Sequence, residues 1–212
     1  MEVVLTKPPK SARKAKGDGH LRRAEILEAA EHIFVADGYE GATIRKIADE
    51  VGVSSTALYM HFRDKDEILN EICLRAMQAL LEQNSEIAGR PVDAPTRLRV
   101  LLKAYVKMGL EHPNAYQVVF CMPERPSASP TQAAVAEIAT KCYARYSGIV
   151  QEIAEAGRLK GAADADAAAQ GLWAASHGLV ALMIARPKVK WAPADRLASV
   201  VVDGLIDGLV AD

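Results

Sequence analysis

The chain of 212 residues is short of several things, and each shortage excludes a class of protein. Aromatics make up only 5% of it, and no segment alternates apolar with polar residues or clusters β-branched ones, so a sheet has little to build on. The apolar runs near Val3 and Val118 are too short to argue otherwise. Cys73, Cys121 and Cys142 are odd in number, widely spaced and without a CxxC pair; they read as reduced thiols of a cytosolic protein, not as a disulfide framework or a zinc site. No uninterrupted run of 18 or more apolar residues occurs, so no membrane span is expected. The first residues place their basic side chains after a short apolar patch, which is not the order of a secretory signal. The nucleophile elbow, the HExxH zinc helix, the phosphate loop and the dinucleotide fingerprint are all missing. Neither catalysis nor a bound metal or cofactor is expected.

What is present favours helices. Half of the residues are hydrophobic, a quarter are charged, and alanine is abundant. The length suits one domain or two small ones with a real core. The net charge of −1 does not advertise nucleic acid, but its distribution is uneven. Lys7, Lys10, Arg13, Lys14, Lys16, Arg22 and Arg23 face only Glu2 and Asp18 within residues 1–23. Residues 1–19 therefore read as a basic, flexible arm, either lying along phosphates or simply solvated.

The most informative stretch is 38–65, which reads as two short helices joined by a tight turn. Ile44, Ile47, Ala48 and Val51 recur at i, i+3, i+4 and i+7, one face of a helix. Gly52 stops that helix, Val53 plugs the turn and Ser54 caps a second helix over 54–61. Leu58 and Phe62 face back to the first helix, leaving Ser55, Thr56, Tyr59, Met60 and His61 on the other side. Short hydroxyls and planar or apolar groups on one exposed face suit a helix that enters the major groove. A helix buried in a core has no use for them.

Ala42 to Ala48, then Val51-Gly52-Val53-Ser54, then Leu58-Tyr59-Met60-His61-Phe62 and Lys65, resemble the DNA-binding signature of the tetracycline-repressor (TetR/AcrR) family. The resemblance is contiguous and dense over residues 21–72. It implies an all-α fold of about nine helices. A three-helix, helix-turn-helix DNA-binding domain would span 20–66, and a helical effector-binding and dimerisation domain would span 67–212. It also implies DNA contacts at Thr43, Arg45, Ser54, Ser55, Thr56, Tyr59, Met60, His61 and Lys65, with Lys65 gripping a phosphate. Two readings stay open at three of these. Arg45 has Asp49 four residues on as an alternative ion partner, Tyr59 can instead fill space between helices, and Met60 stands where the family often has an aromatic or polar residue.

The rest of the chain is punctuated clearly. The first helix is expected over 20–37, burying Ile26, Ala29, Ala30, Ile33 and Phe34 and ending at Gly38. Asp64 and Glu67 form a capping box before a long amphipathic helix over 65–87. Residues 89–95 carry a Gly and two Pro and break the pattern. A helix from 94 runs to His112-Pro113, a short one follows to Phe120, and Ser129-Pro130-Thr131-Gln132 starts another that ends near Gly157.

Trp173 and His177-Gly178, with the upstream segment around Tyr116, resemble the WHG-type C-terminal domain of some members of the family. That resemblance covers 95–210 and specifies no ligand. Tyr105, Met108, Tyr116, Phe120, Met122, Tyr143, Tyr146, Trp173 and His177 are the candidate lining of an effector pocket, though each is individually a good core residue; His177 reads either as a pocket hydrogen-bonding group or as a satisfied core histidine. An apolar or aromatic effector would fit such a lining. Leu179, Met183, Leu197, Val201, Gly204, Leu205 and Gly208 lie on the last two helices, where a small-residue stripe permits close approach across a two-fold axis. The expected function is a cytoplasmic, homodimeric regulator, a repressor, bound to a palindromic operator in double-stranded DNA and released by a small effector. The alternative is a helical carrier or interaction module that does not read DNA.

Overall fold

The computed structural model describes residues 19–123, 130–161 and 164–211, with side chains from residue 22 onward. The basic arm and Ser129 lie outside the described residues. Among those described, the chain forms nine α-helices and no strand. By its contacts it divides into two compact units, residues 1–69 and 70–212.

In the first unit, α1 (Gly19–Gly41) loses helical geometry at Gly38, where φ is 67° and ψ 175°, and one further turn carries it to Gly41. Glycine takes that left-handed φ without a Cβ clash. Ile26, Ala29, Ala30 and Phe34 are buried, whereas Ile33 is only half-buried and Leu27 and Tyr39 complete the core instead. The Phe34 and Tyr39 rings stack with centroids 5.9 Å apart. α2 (Ile44–Val51) opens with Thr43 Oγ1 accepting from the Lys46 N–H at 3.2 Å. It closes at Gly52, whose φ of 75° lets the Gly52 and Val53 N–H groups turn back to the Asp49 and Ala48 carbonyls.

α3 (Ser55–Tyr59) is capped by Ser54, whose Oγ accepts from the Ala57 N–H at 3.1 Å. It is shorter than the helix expected over 54–61, because Ser54 serves as the cap and Met60 and His61 belong to the closing turn. Leu58 and Phe62 are buried as their spacing requires. α4 (Lys65–Ala88) begins in this unit, with Asp64 Oδ1 accepting from the Glu67 N–H at 2.8 Å. Glu67 reaches back one residue further than in an ideal capping box and accepts from the Arg63 N–H at 2.7 Å.

The second unit takes the remainder of α4 and five more helices. They are α5 (Ala94–Glu111), α6 (Pro113–Phe120), α7 (Pro130–Glu155), α8 (Ala165–Ala185) and α9 (Ala194–Leu209). Asp93 caps α5 through the Thr96 N–H, and Pro95 occupies the first turn, where its missing N–H costs nothing. α5 is the central post, packed against α7, α8 and α9. One cluster of buried side chains gathers Leu98, Leu102, Ile149, Ile153, Leu172 and Ile206; a second gathers Met77, Tyr105, Tyr116, Cys142 and Val180. α5 and α8 approach so closely that a Cβ on Gly109 would lie 2.7 Å from Val180 Cγ1 and 2.8 Å from Tyr116 Cδ2. Only glycine fits there.

Ions tie α5 to α9: Lys103 Nζ lies 2.6 Å from Asp203, and Arg99 bonds both Asp203 and Asp207. Burial pushes the Asp203 carboxyl up, but the hydrogen bonds from Lys103 and Arg99 outweigh it and hold the pKa below the usual carboxylate value. At the chain's far end, the Ala211 N–H donates to the Arg158 carbonyl and the Lys160 N–H to the Leu209 carbonyl, pinning the last residues to the α7–α8 turn. α8 is long and apolar enough, by length and composition, to cross a membrane. Counting uninterrupted runs passes over it because Asp166, Gln170, Ser176 and His177 punctuate it. Its Ala169, Leu172, Ser176 and Val180 side are instead buried against the other helices of the unit.

Candidate functional site

Three features of the chain could hold a partner, and each lies within one unit. The first is the outer face of α3. Burying Leu58 and Phe62 turns the intervening residues outward, so Tyr59 is 55% and Met60 82% exposed. Thr43, Arg45, Ser54 and Thr56 are also exposed, and Ser55 and His61 are half-buried. A methionine this exposed contributes nothing to a core, and an exposed tyrosine beside it offers both an apolar ring and a hydroxyl. Arg45 Nε is 3.8 Å from Asp49, the intrahelical pair that its spacing allowed; both side chains are exposed, so the pair is weak and can be exchanged for a phosphate.

Lys65 is more deeply engaged than its assignment as a phosphate ligand implies. Its ammonium donates to the Tyr39 and Ala42 carbonyls at 2.8 and 3.2 Å and lies 4.0 Å from the centre of the Tyr39 ring. It braces the end of α1 to the start of α4, with one N–H left over. Arg23 plays a similar part from α1: its guanidinium stacks 4.0 Å over the Phe62 ring and donates to the His61 carbonyl. This brace was not read in the sequence, where Arg23 counted only among the basic residues of 1–23.

The second feature is a cavity of about 730 Å³ inside the second unit. Five of the predicted pocket residues line it: Tyr105, Phe120, Tyr143, Tyr146 and Trp173. Met108, Tyr116, Met122 and His177 are not among its lining residues. Tyr116 and His177 form instead a hydrogen-bonded cluster with Tyr105. The Tyr116 hydroxyl is 2.6 Å from His177 Nδ1 and 3.1 Å from the Tyr105 hydroxyl, and the Tyr116 and His177 rings stack. Desolvation raises the Tyr116 and Tyr105 pKa values and lowers that of His177, so the cluster is neutral. His177, half-buried, is engaged in this cluster and does not line the cavity. Met108 packs partly buried against the neighbouring cluster.

The wall that sequence reasoning missed is α4. Cys73, Met77, Leu80 and Asn84, spaced by four, three and four, present one helical face to the cavity, opposite Val135, Ala139 and Cys142 of α7. Burial pushes the Cys73 and Cys142 thiols up to about 11, so both are protonated and behave as small apolar groups. Asn84 is only 4% exposed, and its Oδ1 has no hydrogen-bond partner among the described residues. Leaving a buried amide oxygen unpaired costs about 1–3 kcal/mol.

On the outside of α8 and α9, Leu182, Val200 and Leu205 are exposed large apolar side chains. Gly178, Gly204 and Gly208 have open space where a Cβ would point. Of the predicted interface residues, Leu205, Gly204 and Gly208 are exposed, while Leu179, Met183, Leu197 and Val201 are half-buried. Leu182 and Val200 are additions, hidden in sequence among equally apolar core neighbours.

A helical regulator with a helix-turn-helix head and a cavity-bearing helical body is the class these features define, and comparison with known proteins places the chain in it. Residues 26–72 match the model of bacterial regulatory proteins of the tetR family. Residues 98–205, just over half of the chain, match the tetracyclin repressor-like C-terminal domain. The chain belongs to the TetR family, whose members are regulators rather than enzymes. It is 31% identical over 107 residues to the HTH-type transcriptional repressor KstR2 of Mycobacterium tuberculosis, a match covering 50% of this chain and 53% of that one. The chain spans about half the length of the curated relatives it matches. Among solved structures, that of the ketosteroid transcriptional regulator KstR2 of M. tuberculosis shares the fold at a TM-score of 0.76 and 22% identity, covering 90% of this chain and 96% of that one. The transcriptional regulator FadR of Bacillus subtilis, solved with stearoyl-CoA, does so at 0.70 and 22%, covering 87% and 98%.

Proposed function

We propose that this chain is a transcriptional repressor that binds a palindromic operator as a homodimer and is released by a small apolar or aromatic effector. One observation carries the reading: a short helix, capped at its start and buried on one side, holds Tyr59 and Met60 out to solvent beside exposed hydroxyls. Thr56, Tyr59 and Met60 would meet base edges and sugars, while Thr43, Arg45, Ser54, Ser55, His61 and the remaining Lys65 N–H would meet phosphates. A second copy supplies the second half-site, roughly one helical turn of DNA away. The exposed apolar side chains of α8 and α9 are the surface for that pairing.

The cavity is where an effector would enter. If it binds the DNA-incompetent conformation better, linkage requires that effector and operator weaken each other by the same factor. A cavity alone would serve a carrier equally well, so the discriminating test concerns DNA. Purified protein is used to select from random duplexes, in parallel with Tyr59→Ala. Enrichment of a palindrome by the wild type and not by the variant is the expected result. Failure of the wild type to enrich any sequence, with ligands still entering the cavity, would establish the carrier.

A further inference from the structure

We infer that the cavity takes an uncharged, largely apolar ligand whose polar end is a hydrogen-bond donor, a hydroxyl or an amide, bound to Asn84. The inference deepens the effector part of the proposed function and rests on that reading. Its ground is the chemistry of the lining. Met77, Leu80, Leu101, Leu102, Val119 and Phe120 supply hydrocarbon, and no Asp, Glu, Lys, Arg or His lines the cavity among the described residues. A carboxylate or an ammonium drawn into it would lose its hydration with no counter-charge in return. The volume, about 730 Å³, is that of a small-molecule site.

Three polar groups of the wall are committed within the protein, and Gln132 is a second amide on it. The Tyr146 hydroxyl donates to the Ala169 carbonyl at 2.6 Å, the Cys142 thiol to the Met77 carbonyl at 3.5 Å, and the Tyr105 hydroxyl belongs to the cluster with Tyr116 and His177. Asn84 differs. It continues the α4 face begun by Cys73, Met77 and Leu80, where the pattern calls for an apolar residue, and it places an unpartnered amide oxygen in the buried wall. An acceptor held dry in an apolar site rewards a ligand that brings a donor and penalises the analogue that lacks one.

The test uses full-length protein carrying Trp191→Phe. Of the two tryptophans, this leaves Trp173, on the cavity wall, as reporter. Its fluorescence is titrated with 1-dodecanol, with 1-methoxyundecane as the donor-free analogue of equal length, and with dodecanoate. The alcohol should bind about tenfold more tightly than either of the others. Asn84→Leu should level alcohol and ether, and Asn84→Thr, which keeps a hydroxyl on the wall, should restore part of the preference. Removing an unpaired amide should leave the melting temperature of Asn84→Leu unchanged or higher, so loss of preference is not loss of fold. Three outcomes overturn the inference: dodecanoate binding as well as the alcohol, a preference that survives Asn84→Leu because another wall group such as Gln132 accepts the hydroxyl, or no probe entering at all. Because no DNA is present, the outcomes separate. A chain that prefers the alcohol but selects no duplex keeps this inference and loses the repressor, whereas a chain that selects a duplex and admits no probe does the reverse.

Discussion

The exposed outer face of α3 in the first unit and the cavity of the second are built at opposite scales. The face is assembled by neighbours in sequence: Thr43 caps at three residues' distance, Gly52 turns the chain, Ser54 caps again, and Leu58 with Phe62 fixes which side is out. The cavity is assembled by side chains from five helices, α4 to α8, brought together only by packing. Functional surfaces made by short-range rules are exposed and robust to change elsewhere. Surfaces made by packing inherit every perturbation of the core.

That contrast can be tested at graded severity. The largest effect should come from Thr56→Ala combined with Tyr59→Ala. Contacts of this kind contribute ~1–3 kcal/mol each, so operator affinity should fall roughly a hundredfold by fluorescence anisotropy, with probe binding in the cavity unmoved. A change in cavity affinity would break the separation between the two surfaces. Next, Leu182→Glu places a charge on the exposed α8 face, 54% accessible in the single chain. Sedimentation velocity should show the dimer dissociation constant rising at least about tenfold; an unchanged constant would move the interface elsewhere.

Two glycine substitutions then sharpen the point about packing. Gly109→Ala forces a methyl against Val180 and Tyr116 and should destabilise the protein by about 1–3 kcal/mol in chemical denaturation. Gly148→Ala, on the exposed side of α7 with open space around it, should stabilise by up to ~1 kcal/mol. Equal effects would deny that α5 and α8 are in close contact. The smallest effect is one of pH. Burial holds the His177 pKa below its ordinary 6.5, so the unfolded chain takes up a proton that the folded one refuses. Stability should be complete above pH 6.5 and fall as pH drops through the window between that value and the lower folded pKa. His177→Gln should flatten that slope in thermal melts followed against pH.

The difference in scale also explains what could be read in the sequence. Caps, turn and buried pair in the first unit are local, and Thr43, Gly52, Ser54, Leu58 and Phe62 stand where their spacing put them. Lys65 shows the limit: its place in the signature identified a phosphate ligand, while its carbonyl partners lie 26 and 23 residues away and carry no local signal. In the body, helix positions and the apolar stripe of α5 were legible, but the cavity only in part: Tyr105, Phe120, Tyr143, Tyr146 and Trp173 line it, and its α4 wall was not foreseen. Aromatic content pointed to Tyr116, which turned to His177, and to Met108, which packs beside the cavity. Asn84 looked like any polar residue on a long amphipathic helix. Gly109 looked like any helix glycine until the neighbouring helix was in place.

Asn84 also bears on how such a protein diverges. A cavity whose walls are largely hydrocarbon and neutral thiols, with no charged side chain among the described residues, has little in it that must change for a different ligand to be held. One base change in the Asn84 codon would exchange its amide for a carboxylate or a hydroxyl, leaving α5, the cores and the DNA-reading face as they are. Under the proposed function, a lineage carrying this body would acquire a different inducer by drift at one position, well before its operator changed.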